Sequence, residues 1–194
     1  MIVVADASPL RYLILIEHTH VLQALYGRVL APPIVITELS QEQTPDIVQH
    51  WIANLPDWVR VQGPTRELVA VDVSLGAGER AAIALAEELS ADALLIDERD
   101  GRREAERRGL PVLGTLRVLA DAAEHDLADL PNAFDRLRQT NFRASEALLK
   151  TLLARDAARR GAPQPSLPRN TAPSLRPFIM RKRLGMAFTG ATAE

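Results

Sequence analysis

Short apolar runs alternate along the chain with longer segments whose apolar residues recur at helical spacing. The runs at 2–5 and 92–96 are followed by Asp6 and Asp97, and such runs are typical of buried parallel strands. Shorter strands are predicted at 28–31 and 111–113, with an edge strand at 58–61. Strands that alternate with helices predict an α/β fold, in which helices form the two outer layers around a central parallel sheet.

Local signals predict where the helices begin and end. Ser8 followed by Pro9 predicts an N-cap and a first helical turn, and Thr115 after Gly114 is given the same capping role. Helical spacing is clearest over 79–89. Further helices are expected over 99–108, which Gly109 ends, and near 132–139 and 144–155, whereas 62–75 is expected to be a loop.

Charge and proline divide the chain into two parts. Residues 161–194 contain five basic residues, one acidic residue and five of the 13 prolines. Their net charge is therefore +4, which leaves -6 for the rest of the chain, since the total is -2. We predict a domain over 1–158 and a disordered, basic, proline-rich tail over 159–194. Alternatively, the basic cluster at 181–183 could contact phosphates, although an inert tail is favoured.

Composition excludes several kinds of site. The chain has no cysteine, so disulfides, thiolate zinc sites and cysteine nucleophiles are ruled out. Eight aromatic residues are few for a surface that binds single strands by stacking bases. No apolar run is long enough to span a membrane, and Asp6 interrupts the segment where a signal peptide would be apolar. A cytoplasmic protein without a membrane partner is expected.

Four carboxylates occupy equivalent places in the predicted topology. Asp6 and Asp97 follow strands, Glu79 lies near a helix start, and Glu38 lies on the helix after the second strand. Right-handed crossovers bring these positions to the carboxyl edge of the sheet, which Asp100 could also reach. Because clustered carboxylates repel one another, a bound divalent cation is the usual way to keep them ionised, and oxygen ligands favour Mg²⁺ or Mn²⁺. The inferred chemistry is phosphodiester hydrolysis.

Each carboxylate also has a simpler interpretation. Glu79 could interact with the helix dipole, and Glu38 could be a solvated helix residue. When either residue is considered alone, this simpler interpretation is the favoured one. Asp97 could be an ordinary loop residue, and Asp6 could cap the helix that follows it. The functional interpretation rests on their combination.

Five motifs then resemble those of PIN-domain proteins, in particular a subfamily of short prokaryotic PIN-like proteins. In order along the chain, they are the residues at 6–10, 35–39, 76–83, 94–102 and 113–116. The resemblance covers about 2–155. It implies a PIN-like nuclease fold and metal-dependent endoribonuclease activity, often as the toxin of a toxin–antitoxin pair.

The resemblance also implies roles for individual residues. Asp6, Glu38, Glu79 and Asp97 match the family's acidic quartet, with Asp6, Glu79 and Asp97 as metal ligands. Asp100 matches a position that is variably acidic and is included as a ligand. The third quartet position is more often aspartate, so Glu79 departs from the pattern and its longer side chain could shift the metal.

Basic and hydroxyl residues near the predicted site are candidates for RNA contacts. Ser8 and Thr115 could hydrogen-bond near the scissile phosphate, although helix capping is favoured for both. The candidate phosphate-binding arginines are Arg80, Arg99, Arg102 and Arg103. A solvated, salt-bridged helix containing Glu104 and Glu106 is an equally good interpretation of the last three. A leucine stripe at 148–153 is expected to pack on the domain, but it could also form a homodimer or antitoxin surface.

Two other functions compete with a ribonuclease. A phosphatase is disfavoured, because Asp6 does not begin an Asp-x-Asp motif after the first strand. A phospho-acceptor domain is disfavoured as well, because neither Lys150 nor Lys182 lies at the end of a late strand. A PIN-like module that binds nucleic acid or protein with little or no turnover stays open. Metal-dependent RNA cleavage that is lost on Asp6→Asn would separate this module from an enzyme.

Overall fold

The computed structural model describes residues 1–66, 68 and 75–161. Its described part contains a five-stranded parallel sheet in the order β3-β2-β1-β4-β5. The strands are β1 (Val3–Ala5), β2 (Val29–Ala31), β3 (Val59–Val61), β4 (Ala93–Leu95) and β5 (Val112–Leu113). The predicted α/β class and the edge position of the third strand are therefore confirmed.

Helices connect the strands and continue after the last one. They are α1 (Ala7–Leu15), α2 (His20–Tyr26), α3 (Pro33–Leu39), α4 (Asp46–Ala53), α5 (Ala77–Glu88), α6 (Arg99–Arg107), α7 (Thr115–Glu124), α8 (Leu130–Arg138) and α9 (Glu146–Gly161). Among these described helices, none combines the length and the apolar character that a membrane crossing requires.

Side chains alternate between two cores on opposite faces of the sheet, as a pleated strand requires. Val3 and Ala5 of β1 and Leu95 of β4 point into the larger core, where they meet helices α1, α2, α7 and α8. Val4 and Leu94 point into a smaller core built on α5. Because both faces of the sheet are covered at its centre, β1 and β4 are apolar throughout, and the three-layer arrangement is confirmed.

The strand register brings two of the predicted site residues, Asp6 and Asp97, to the same edge of the sheet. In the pairing of β1 with β4, Ala5 lies opposite Leu95. The amide of Asp6 continues this ladder by donating to the Leu95 carbonyl over 2.9 Å. Asp6 directly follows β1, and Asp97 follows β4 by two residues, so both leave the sheet at its carboxyl edge.

Several predicted boundaries differ from the observed ones. The N-cap of α1 is Asp6 rather than Ser8, because the helix already begins at Ala7. Similarly, α7 is capped by Gly114, and Thr115 is its first residue. Helix α9 continues to Gly161, which is beyond the boundary predicted at 158. Part of the predicted loop at 62–75 lies outside the described residues. Most of the predicted tail, from residue 162 onward, also lies outside them, so the division at 158 stays a prediction.

Candidate functional site

Asp6 is a buried carboxylate at the end of the central strand. Its exposed fraction is 2%, and it occupies the N-cap position of α1. The pKa of Asp6 is raised to about 7, mainly by burial and to a smaller extent by the Glu79 and Glu38 carboxylates, although the Ala7 and Ser8 amides lower it. Simple helix capping therefore does not account for this residue.

Asp97 is held by the first residue of α7. The Thr115 amide donates to Asp97 Oδ1 over 2.8 Å, and the Thr115 hydroxyl donates to Oδ2 over 2.6 Å. Burial raises the pKa of Asp97, while these two hydrogen bonds and the charge of Arg102 lower it. The favoured role of Thr115 as a helix cap is thus wrong, since Thr115 fixes both oxygens of Asp97.

The other two quartet members are held at the N-terminus of α5. Glu79 Oε2 accepts from the Gly76 amide over 2.7 Å, and Glu38 Oε1 accepts from the Gly78 amide over 2.9 Å. Burial raises the pKa of Glu79, and the Gly76 amide opposes that shift. The N-terminal amides of a helix favour negative charge, so α5 stabilises both carboxylates as anions.

Three glycines leave room for these carboxylates. A Cβ atom at Gly101 would lie 2.6 Å from Glu79 Oε1, and one at Gly114 would lie 2.9 Å from Asp97 Oδ1. A Cβ at Gly78 would come within 3.0 Å of Glu38 Oε1. Any larger residue at these positions would push a carboxylate aside. The sequence marks Gly78 and Gly114 as helix starts, but nothing in it distinguishes Gly101.

The donor set suits a hard divalent cation. Besides burial, the Glu79 and Glu38 carboxylates raise the pKa of Asp6, and within residues 1–66, 68 and 75–161 none of the four quartet carboxylates forms an ion pair with a basic residue. Carboxylate oxygens that lack a basic partner fit Mg²⁺ or Mn²⁺. However, no three acidic or histidine side chains in these ranges are already grouped at metal-binding geometry.

An open cleft lies beside Asp97. Its volume is about 410 Å³, and it is lined by Asp97, Arg99, Arg102, Arg103 and Glu106. Arg99 and Arg103 are exposed, and Arg103 lies 3.9 Å from the exposed Asp100. Arg102 is half-buried and donates to the Ile96 carbonyl over 3.0 Å. Three of the four predicted arginines thus line this cleft beside Asp97.

The remaining candidates are more peripheral. Arg80 is exposed on α5 and does not line the cleft, and Ser8 is half-buried in the first turn of α1. Asp100 is close enough to raise the pKa of Glu79. Tyr12, which the sequence did not suggest, is close enough to Asp97 and Glu98 for their charges to raise its pKa, although burial is the larger cause.

Helix α6 contains a buried carboxylate of a different kind. Glu104 is 3% exposed, whereas one interpretation of the sequence placed it on a solvated helix. Arg107 Nη2 lies 2.7 Å and Arg108 Nε 2.6 Å from Glu104 Oε1. These hydrogen-bonded arginines lower the pKa of Glu104 to about 2.

Comparison with known proteins agrees with this architecture. A family model described as a PIN domain (DUF3368) matches residues 2–157. The chain therefore belongs to the PIN-domain family, whose members are generally nucleases. Nothing among the curated proteins matches it.

One similar solved structure is a PilT N-terminus domain protein from the hyperthermophilic archaeon Sulfolobus solfataricus P2. It is 19% identical and matches 63% of this chain and 93% of its own, with a TM-score of 0.47.

Proposed function

We propose that the protein is a metal-dependent endoribonuclease that hydrolyses RNA phosphodiester bonds. Asp6, Glu79 and Asp97 would hold Mg²⁺ or Mn²⁺, with Glu38 beside them and Asp100 at the rim. The proposal rests above all on the buried carboxylate of Asp6, which faces two further carboxylates and has no basic partner in the described part of the chain. Membership of the PIN-domain family supports the same chemistry.

The position of each site residue in the fold determines the role that it would have in this reaction. Asp6 has a backbone fixed by the β1–β4 ladder, so its carboxylate can be held rigidly at the reaction centre. Thr115 orients Asp97, and the α5 amides orient Glu38 and Glu79. When bound, the divalent cation would lower the pKa of a water and neutralise charge that develops on the phosphate.

The cleft provides an electrostatic path for the substrate. Arg99 and Arg103 are exposed beside Asp97, and their guanidinium groups can bind backbone phosphates without reading sequence. Phosphate contacts of this kind make affinity depend on salt. The scissile phosphate would lie between these arginines and the acidic edge.

A toxin role and a partner protein are part of the proposal. Leu148 is 47% exposed on α9, while Leu149 of the same stripe is buried in the larger core. The exposed side could contact a small antitoxin or a second copy of the chain. Growth arrest on expression, relieved by the product of a neighbouring gene, would support the toxin role, and normal growth would contradict it.

A binding module without turnover is the second candidate. The separate holding of Glu38, Glu79 and Asp97 by helix amides favours it, because no three acids already form a metal-binding group in the described ranges. In such a module the arginine cleft would bind nucleic acid, and the acids would only stabilise helix starts.

RNA cleavage and Mn²⁺ binding distinguish the two candidates. We expect Mn²⁺-dependent cleavage of single-stranded RNA to fall by about 10³-fold in Asp6→Asn. Asp97→Asn should weaken Mn²⁺ binding measured by calorimetry, because a charged ligand is removed. Asp57→Asn, at an exposed loop position, is the matched control. Retained cleavage in Asp6→Asn, or equal Mn²⁺ affinity in Asp97→Asn, would contradict the enzyme.

A further inference from the structure

The three arginines of the cleft differ in what they contact. Arg99 is exposed, and no ion pair or hydrogen bond of its side chain occurs with another described residue. Arg103 has a side chain that is 59% exposed and only a long contact, 3.9 Å, with Asp100. Arg102 instead is half-buried and already uses one terminal nitrogen within the protein.

Arg102 contacts the backbone that leads into Asp97. Its Nη1 donates to the Ile96 carbonyl over 3.0 Å, while the Ile96 amide donates to the Leu113 carbonyl of β5 over 2.9 Å. The Ile96 carbonyl and the Asp97 amide belong to the same planar peptide. Arg102 therefore fixes the plane from which Asp97 leaves the sheet.

Gly114 allows this contact. A Cβ atom placed on Gly114 would lie 3.0 Å from Arg102 Nη1 and 2.9 Å from Asp97 Oδ1. The guanidinium and the carboxylate thus approach the same side-chain-free position, yet they form no direct ion pair within 4.0 Å. Arg102 can hold Asp97 in place while it leaves the carboxylate oxygens to Thr115 and a cation.

We propose that Arg102 is a positioning residue for Asp97, and that Arg99 and Arg103 are the residues that bind substrate phosphates. This division rests on the proposed ribonuclease function. It follows from the geometry that Arg102 acts through the Ile96–Asp97 peptide, whereas its two neighbours act on the substrate directly.

Steady-state cleavage of single-stranded RNA with Mn²⁺ tests the division. Arg102→Gln should lower kcat by roughly tenfold to a hundredfold with little change in KM, because a displaced catalytic group loses rate. Arg102→Lys, which keeps a donor and the charge, should restore part of kcat. Arg99→Gln and Arg103→Gln should raise KM and keep kcat. Arg28→Gln, exposed at the amino end of β2, is the control.

Hydrogen exchange of the Thr115 amide gives a reading that does not depend on activity. This amide donates to Asp97 Oδ1, so a loosened Asp97 should accelerate its exchange in Arg102→Gln but not in Arg99→Gln. A higher KM with unchanged kcat and unchanged exchange in Arg102→Gln would make Arg102 a substrate contact and overturn the proposal. If the wild type cleaves no RNA, the ribonuclease function fails, and the exchange rates alone decide whether Arg102 positions Asp97.

Discussion

Asp6 and Glu104 are both buried carboxylates, 2% and 3% exposed, but the charged side chains near them have opposite signs. Glu104 is hydrogen-bonded by Arg107 and Arg108, which lower its pKa to about 2. Burial raises the pKa of Asp6 to about 7, with a smaller contribution from Glu79 and Glu38, and no basic residue in the described part of the chain pairs with it. Burial therefore raises the pKa of a carboxylate when no basic partner is present, and hydrogen-bonded arginines can reverse that shift.

The difference separates structural from functional acids. Glu104 has its counter-charges within the protein, so it can join α6 to α5 through the Arg108–Glu87 ion pair at 3.0 Å without any ligand. Asp6 has no such partner among the described residues, so its ionised form is incomplete without an external cation.

The largest effect on stability is expected at Glu104. Glu104→Gln removes the charge but keeps the shape, so Arg107 and Arg108 lose the carboxylate to which both donate. The free energy of unfolding should fall by about 3 kcal/mol, as when one partner of a buried ion pair is lost. Urea unfolding measures this, with the exposed Glu106→Gln as control. A loss below about 1 kcal/mol would mean that the arginines do not depend on Glu104.

Substitution of Asp6 is expected to raise the stability of the fold rather than lower it, by an amount that depends on pH. The raised pKa means that Asp6 stabilises the metal-free fold most below pH 4, and that this contribution is lost as pH rises through about 7. Asparagine does not titrate, so Asp6→Asn keeps its stability as pH rises. Its free energy of unfolding should exceed that of the wild type by near zero at pH 4 and by roughly 1–3 kcal/mol at pH 8. Unfolding in a chelator at several pH values tests it. An advantage that is constant with pH would show that Asp6 does not hold a proton.

A smaller effect is expected at Thr115. Thr115→Val keeps the amide that donates to Asp97 Oδ1 but removes the hydroxyl that donates to Oδ2. We expect kcat/KM for RNA cleavage to fall by about tenfold, or about 1.4 kcal/mol, which is typical of a hydrogen bond to a charged group. Thr115→Ser should recover most of it. If serine and valine behave alike, the hydroxyl has no role.

The smallest effect is expected at Gly101. Gly101→Ala places a methyl group against Glu79 Oε1 and the Ile96 side chain. Mn²⁺ affinity should fall by about threefold to tenfold, since the carboxylate is displaced but not removed. Higher helix propensity should offset the crowding in stability. Gly63→Ala, whose Cβ would meet Pro33 at an ordinary 3.5 Å, is the control. Unchanged affinity would indicate that Glu79 is not a ligand.

The sequence predicted the fold better than it predicted how the site is held. The apolar runs before Asp6 and Asp97 identify the two central strands, because only buried strands need such runs on both faces. Glu104 was misjudged, since Gly101 and Ala105, which share its buried helix face, are too small to produce an apolar stripe. The hydrogen bond from Thr115 to Asp97 joins residues that lie 18 positions apart, and no local sequence pattern predicts it.

Gly101 also bears on how the sequence of this site could have changed over time. Glu79 reaches one methylene further than an aspartate would, and the missing side chain at position 101 provides the space for its carboxylate. An aspartate at position 79 would withdraw from that space, and an alanine at position 101 could then fill it. We expect these two positions to covary among related chains, with glycine arising before the longer acid, because the reverse order passes through a crowded ancestor.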